Sequence, residues 1–177
     1  AKRTVNVLNL FGYTGIASLS AAQAGARVTH VDASKKTVAQ ARENQILAGL
    51  EDKPIRWIVD DALKFVKREA RRGVVYDGII LDPPKFGRGP KGEVWEFFEA
   101  FPSLLTECRS LFGKQPLFLV ITAYAIRASA LSLYYATQDI MKEYGGHLDA
   151  GELVLREQSG GRLLSMALYT RWQEASH

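Results

Sequence analysis

Acidic residues stand directly after apolar, strand-like runs at three places: Asp32, the pair Asp60 and Asp61, and Asp82. A fourth run of this kind is followed by a glycine-containing turn. Carboxylates accept hydrogen bonds from hydroxyl and amino groups, and glycine lets a ligand approach the backbone closely. Hydroxyl and amino groups together are features of a nucleoside. The pattern therefore predicts a site for a nucleoside-containing ligand at these strand ends.

The glycine-containing turn reads Asn-Leu-Phe-Gly-Tyr-Thr-Gly over residues 9–15. Gly12 permits a tight turn, and Gly15 opens a helix whose free N–H groups favour a carboxylate or a phosphate. The spacing is not that of the dinucleotide pattern G-x-G-x-x-G, because Thr14 and Ala17 stand where its second and third glycines belong. A purely structural turn, or one that binds another nucleotide, is the alternative.

Each acid after the second and third runs has a ligand-binding and a structural interpretation. Asp32, followed by Ala33 and Ser34, can accept from both ribose hydroxyls, or it can serve only as a helix-entry turn residue. An acid here disfavours a phosphorylated ribose such as that of NADP. In Asp60-Asp61-Ala62, one acid can accept from the exocyclic amine of adenine while the other caps the next helix. We assign the adenine contact to Asp61.

The segment Asp-Pro-Pro-Lys-Phe, residues 82–86, is the most specific signal in the sequence. Pro83 and Pro84 fix the backbone in extended geometry and remove two N–H donors, leaving an edge rich in acceptors. Such an edge suits the amine of a nucleobase, and Phe86 can stack on the base. A simple turn would explain the prolines alone, but not the acid and the aromatic residue that flank them.

Cations follow this segment. Residues 85–91 contain Lys85, Arg88 and Lys91 and no acid, which predicts either contact with phosphate groups or a flexible, solvated loop. Tyr124 is a further candidate for contact with the substrate. The histidines at 30, 147 and 177 are too scattered to predict a metal site, and each is interpreted as a surface or strand residue.

The elements that must position these residues alternate along the chain. The sequence predicts strands at 5–11, 27–31, 55–59, 77–81 and 117–121, and helices at 15–24, 34–48, 62–71, 93–112 and 127–143. Residues 147–156 and 163–172 predict a terminal hairpin without an intervening helix. This order predicts an α/β fold: a Rossmann-like, doubly wound, mostly parallel sheet with one antiparallel strand from the C-terminal hairpin.

Composition limits the alternatives. The chain has 177 residues, 47% of them hydrophobic, and a net charge of +4, so it predicts one globular, mildly basic domain over 1–177. No apolar run approaches the roughly 20 residues that a membrane span needs. The single cysteine, Cys108, allows no internal disulfide and indicates a cytoplasmic location. The chain begins without methionine, close to a strand, and we expect an N-terminal portion of the full-length protein to be missing.

With these segments in this order, the chain resembles the class I S-adenosylmethionine-dependent methyltransferases. Within that class, the chain looks like the bacterial 23S ribosomal RNA methyltransferase group, on the strength of four segments: Asn-Leu-Phe-Gly-Tyr-Thr-Gly (9–15), Val-Asp-Ala-Ser (31–34), Ala-Arg-Glu-Asn (41–44) and Asp-Pro-Pro-Lys-Phe (82–86). The resemblance implies a seven-stranded sheet, S-adenosyl-L-methionine as cofactor with S-adenosyl-L-homocysteine as product, and no metal. It also implies methylation of an RNA base, with 23S ribosomal RNA as the partner.

Carried over by position, the resemblance places the methionine part of the cofactor at residues 11–15, the ribose at Asp32 and the adenine at Asp61. Residues 82–86 then face the acceptor base. Asn9 departs from the class, in which many members have an acid. Its amide can orient the turn or bond to the amino group of the cofactor.

A second departure concerns the chemistry. Members that methylate cytosine at C5 carry a nucleophilic cysteine just after the fifth strand. Here the stretch reads Ile-Thr-Ala-Tyr over 121–124, and Cys108 lies on the apolar stripe of a predicted helix, which indicates a core residue. Cytosine C5 is therefore disfavoured and a base nitrogen favoured. Three alternatives stay open: a methyltransferase of small molecules or proteins, an NAD-linked oxidoreductase, and a non-catalytic RNA-binding module.

Overall fold

Strands and helices alternate along the chain, and the structure, a computed structural model, describes residues 3–175. The strands are β1 (Asn6–Leu10), β2 (Arg27–Asp32), β3 (Ile55–Val59), β4 (Gly78–Leu81), β5 (Phe86–Arg88), β6 (Val94–Glu96), β7 (Phe118–Ala123), β8 (His147–Arg156) and β9 (Leu163–Gln173). The helices are α1 (Ile16–Gln23), α2 (Lys35–Leu47), α3 (Ala62–Arg71), α4 (Phe97–Arg109) and α5 (Ala130–Met141). None of these helices is long and apolar enough to cross a membrane.

Seven strands form one sheet in the order β3-β2-β1-β4-β7-β9-β8. The first five are parallel, and β9 runs antiparallel to β7 because no helix separates it from β8. The strand order reverses between β1 and β4, which creates a crevice at the carboxyl ends of the strands. The fold class predicted from the sequence is confirmed.

The two faces of the sheet are both covered. Leu8 and Leu10 of β1 belong to the larger core cluster with residues of α3, α4 and α5, whereas Val7 packs with Ala22 of α1. Successive side chains of a strand point to opposite faces, so the clusters lie on opposite sides of the sheet. Cys108 is fully buried in the larger cluster, which confirms its interpretation as a core residue.

One predicted element differs from the structure. The helix expected over 93–112 begins only at Phe97, and residues 86–96 form a two-stranded antiparallel hairpin, β5–β6. The side chain of Glu96 accepts from the backbone N–H of Glu99 and caps the N-terminus of the helix, so the helix does not extend to residues before Phe97. Residues 86–91, for which a flexible, solvated loop is the alternative to phosphate contact, form the first strand and part of the turn of this hairpin.

Candidate functional site

A cavity of about 500 Å³ opens at the carboxyl ends of β1, β2, β3 and β4. It is lined by twelve of the predicted site residues, namely Phe11, Tyr13, Asp32, Ala33, Ser34, Asp60, Asp61, Ala62, Asp82, Pro84, Arg88 and Tyr124. Four lining residues were not predicted: Val31, Gly87, Gly89 and Trp95. The remaining predicted residues, Asn9, Gly12, Thr14, Gly15, Pro83, Lys85, Phe86 and Lys91, do not line the cavity.

The turn after β1 has an unusual backbone. Phe11 and Tyr13 both have left-handed φ angles, of 57° and 49°, which are costly for residues with a side chain. The turn is held by neighbours: Gly12 N donates to the carbonyl of Val31, and the side chain of Asn44 donates to the carbonyl of Thr14 at 2.9 Å. Such over-determined strain is typical of ligand-binding turns.

A buried polar network lies beneath this turn. The amide of Asn9 donates to Ser18 Oγ at 2.9 Å, and Ser18 Oγ lies 2.9 Å from Nδ1 of His30. His30 is fully buried against Trp57, and burial lowers its pKa to about 4 against the opposing effect of Asp32. The ring is therefore neutral, and which of Ser18 Oγ and Nδ1 donates depends on its tautomer; within residues 3–175, Nε2 has no hydrogen-bond partner. Asn9 is thus hydrogen-bonded to α1, the helix that follows the turn, and His30 is a strand residue but not a surface one.

Asp32 organises the turns on both sides of it. Its Oδ2 accepts from Tyr13 N at 2.9 Å, and its Oδ1 accepts from Ser34 N at 2.9 Å and from Thr37 Oγ1 at 2.8 Å. The structural role considered for Asp32 is therefore present. A carboxylate has about four acceptor positions, so about one remains for a ligand in the cavity.

The sequence assigns the helix cap and the adenine contact to different acids of the pair Asp60 and Asp61, and the structure differs on the cap. Asp61, not Asp60, caps α3, since its Oδ1 accepts from Lys64 N at 2.9 Å. Both oxygens of Asp60 are engaged, by Asp61 N and by Arg68. Within residues 3–175, Asp61 Oδ2 is the oxygen of this pair that has no hydrogen-bond partner. Asp61 can thus cap the helix and still accept from a ligand.

Asp82 follows β4, which lies on the other side of β1 from the strand that ends in Asp32. Its Oδ1 accepts a hydrogen bond from the Thr122 hydroxyl at the end of β7. The predicted edge of free carbonyls is only partly present, because Pro84 O accepts from Trp95 Nε1 at 2.7 Å and Lys85 O accepts from Phe97 N at 3.0 Å. Asp82 lines the cavity, and within residues 3–175 its Oδ2 has no hydrogen-bond partner, so it can accept from a ligand.

Phe86 and Lys91 are exposed, and Lys85 is half-buried. Phe86 is 62% exposed, with Lys85 Nζ 5.3 Å from the centre of its ring, and Lys91 is exposed as well. These side chains are accessible to a large partner but do not enter the cavity. Among residues 3–175, no three histidine, cysteine, aspartate or glutamate side chains are grouped to hold a metal ion, and His177 lies outside the described residues.

Thr122 was missed as a site residue. It was considered only as part of a stretch that lacks cysteine, yet a hydroxyl at the carboxyl end of a central strand is itself a signal for a site. Trp95, Gly87 and Gly89 are likewise not identified as site residues from the sequence, because the hairpin to which they belong is not predicted.

A profile of the family described as "Conserved hypothetical protein 95" matches residues 2–92. "Ribosomal RNA large subunit methyltransferase I" of Shewanella denitrificans is 40% identical over 82 residues, which are 46% of this chain and 21% of that protein. "Ribosomal RNA large subunit methyltransferase K/L" of Shewanella sp. (strain ANA-3) is 42% identical over 89 residues, 49% of this chain and 12% of that protein. The aligned segments therefore span about a fifth or less of these relatives.

Two solved structures extend the comparison to almost the whole chain. A SAM-dependent methyltransferase from Agrobacterium tumefaciens matches with a TM-score of 0.94 and 54% identity, covering 99% of this chain and 57% of that one. A magnesium protoporphyrin IX methyltransferase from Synechocystis PCC 6803 with bound SAM shares the fold, with a TM-score of 0.60 and 16% identity, covering 97% of this chain and 71% of that one. The resemblance to methyltransferases inferred from the four sequence segments is confirmed.

Proposed function

The chain belongs to the Conserved hypothetical protein 95 family, and from its similarity to methyltransferases we propose that it is the catalytic domain of an S-adenosyl-L-methionine-dependent methyltransferase that acts on a base of ribosomal RNA, with 23S ribosomal RNA as the partner. One observation carries the proposal. The carboxylates of Asp32, Asp61 and Asp82 line a single cavity of about 500 Å³, a volume suited to a nucleoside-sized ligand.

The residues present fit this cofactor. The left-handed turn at 11–15 offers backbone groups for its methionine part, and the remaining acceptor position of Asp32 suits a ribose hydroxyl. Asp61 Oδ2 suits the adenine amine, and the apolar wall formed by Phe11 and Trp95 suits one face of its ring. When bound, the cofactor supplies a methyl group on a sulfonium, which is a strong electrophile.

The chain's own contribution is placement. Catalysis of methyl transfer requires mainly that a lone pair of the acceptor be held in line with the methyl–sulfur bond. We assign to Asp82 the orientation of the acceptor amine and the acceptance of its proton, and to Thr122 the orientation of the Asp82 carboxylate. No metal takes part in this assignment.

The state of Cys108 supports transfer to a base nitrogen over cytosine C5. Cys108 is fully buried on α4, and burial raises the pKa of its thiol far above the ordinary value. A thiolate nucleophile is therefore not available in the folded chain, and the end of β7 carries Thr122 and Tyr124 instead.

RNA as the substrate is supported by the names of the relatives and by three cations beside the cavity, the exposed Arg88 and Lys91 and the half-buried Lys85. The test is to incubate the protein with cofactor labelled in the methyl group, ribosomal RNA, and protein and small-molecule fractions of a cell extract. We expect label in RNA, at a base nitrogen. Label in the protein or small-molecule fraction would instead favour the alternative methyltransferases.

A second measurement addresses the other classes. S-adenosyl-L-homocysteine is expected to raise the melting temperature, and NADH is not; the reverse result would indicate an oxidoreductase. A non-catalytic RNA-binding module would bind RNA equally well after Asp82→Asn and would transfer no label.

A further inference from the structure

The β5–β6 hairpin, residues 86–96, is attached at its base to the segment that carries Asp82. Trp95 Nε1 donates to Pro84 O, and Phe97 N donates to Lys85 O. The Trp95 ring lies 4.8 Å from the ring of Phe11, and Trp95 is only 5% exposed. These contacts bring the hairpin over the cavity, which Gly87, Arg88 and Gly89 line.

The tip of the hairpin is organised by Glu93. Its carbonyl accepts from Gly89 N, and its Oε2 accepts from Lys91 N, both at 2.8 Å. A Cβ on Gly89 would come within 2.3 Å of Glu93 Oε2, so the carboxylate packs where only glycine leaves room. Although the hairpin tip is a surface feature, the Glu93 side chain is only 14% exposed.

Glu93 also connects the hairpin to α3. Its Oε1 pairs with Lys64 Nζ at 2.5 Å, while the backbone N–H of Lys64 donates to Asp61 Oδ1 at 2.9 Å. Lys64 therefore links Glu93 to the acid that we assign to the adenine amine. The ammonium of Lys64 and the backbone N–H of Lys91 lower the pKa of Glu93 to about 2, so the pair is charged at neutral pH.

We propose that the β5–β6 hairpin is the wall of the cofactor cavity on the adenine side, and that Lys64 and Glu93 are positioning residues that hold this wall against the nucleoside. This inference rests on the proposed function, because it takes the ligand of the cavity to be the adenosyl cofactor. The alternative is that the hairpin contacts only RNA. That role would not require Glu93 to pair with Lys64 of α3, the helix that Asp61 caps.

The test is a double-mutant cycle on binding of S-adenosyl-L-homocysteine and of adenosine, measured by calorimetry. Lys64→Met and Glu93→Gln are each expected to weaken binding of both ligands by about 3- to 10-fold, and the double variant no more than either single one. Lys64→Arg retains the cation and is expected to bind within about 2-fold of the unmodified protein. Equal losses for both ligands would place the effect at the nucleoside end.

Arg109→Met and Glu143→Gln are matched controls, because they remove the same charges from an ion pair whose members do not line the cavity. They are expected to leave binding unchanged. Hydrogen exchange gives a second readout: the ligand is expected to slow exchange of the amides of residues 86–96, and less so in Glu93→Gln. Melting temperatures establish that each variant is folded.

Two results would overturn the inference, and they are distinguishable. If the unmodified protein binds the ligand but Glu93→Gln and Lys64→Met bind it equally well, with unchanged exchange in the hairpin, the positioning role is wrong and the proposed function stands. If the unmodified protein binds neither S-adenosyl-L-homocysteine nor adenosine, both proposals are wrong.

Discussion

The imidazole ring of His30 lies directly against the Cα atom of Gly12. A Cβ built on Gly12 would come within 2.4 Å of Cε1 and 2.5 Å of Nδ1 of that ring. The buried network of Asn9, Ser18 and His30 therefore leaves room only for glycine at position 12 of the turn. The backbone of Gly12 in turn packs on the His30 ring of the network. We therefore expect ligand binding and core packing to be coupled at this contact.

Gly12→Ala tests that coupling. Because the added methyl group meets a buried ring, we expect the free energy of unfolding to fall by about 1–3 kcal/mol and binding of S-adenosyl-L-homocysteine to weaken as the turn shifts. Urea denaturation and calorimetry measure the two effects. Gly113→Ala is the control, since the nearest atoms to its added Cβ are 3.9 Å away. An alanine at 12 as harmless as one at 113 would contradict the prediction.

His30 makes the fold sensitive to acid. Because burial lowers its pKa from 6.5 to about 4, the unfolded chain takes up a proton before the folded one does. The free energy of unfolding is therefore expected to fall as the pH decreases from 6.5 towards 4, and His30 accounts for about 3 kcal/mol of that fall. Above pH 6.5, His30 is expected to have no effect on the pH dependence of stability. Urea denaturation across this range should show a shallower decline in His30→Gln. Parallel curves for the two proteins would count against the assignment.

Asp32→Asn should weaken cofactor binding without unfolding the chain. An amide cannot accept at all the positions that Tyr13 N, Ser34 N and Thr37 Oγ1 now use, so one N–H group would face another donor. We expect a loss of about 1–3 kcal/mol in binding of S-adenosyl-L-homocysteine, or roughly 5- to 150-fold in Kd. The exposed Asp52→Asn is the matched control. Unchanged affinity in Asp32→Asn would show that the turn does not need this carboxylate.

Asp82 and Thr122 should affect turnover more than binding. Removal of a proton acceptor from the site is expected to lower kcat by about 100-fold or more in Asp82→Asn. Thr122→Val frees the Asp82 carboxylate to rotate, and we expect about a 10-fold loss of kcat with the affinity for S-adenosyl-L-homocysteine retained. Thr106→Val, which removes a hydroxyl from the exposed face of α4, serves as control. Full activity in Asp82→Asn would refute the assigned role.

The sequence predicts the sheet and the acids at its edge because each rests on local signals. Buried parallel strands read as short apolar runs, and α3 matches its predicted bounds because Asp61 caps its start and Gly73 follows its end. Carboxyl ends of parallel strands meet at one edge, so Asp32, Asp61 and Asp82 were expected to converge, and they do.

The hairpin could not be predicted in the same way. Its strands have three residues each, too few for a period of two to be recognised, and Pro90 with three nearby glycines resembles a loop. What orders it is tertiary: the packing of Trp95 on Phe11 and the pairing of Glu93 with Lys64. Neither partner is close in sequence, so neither contact has a local signal.

The burial of Cys108 has a practical consequence. Because this is the only cysteine in the sequence and it is enclosed in the core, the native chain presents no thiol to maleimide reagents. A cysteine placed at Val94, which is 72% exposed on the hairpin, would be the sole point of attachment for a fluorophore or spin label. The protein thus provides a ready background for spectroscopy without prior replacement of native residues.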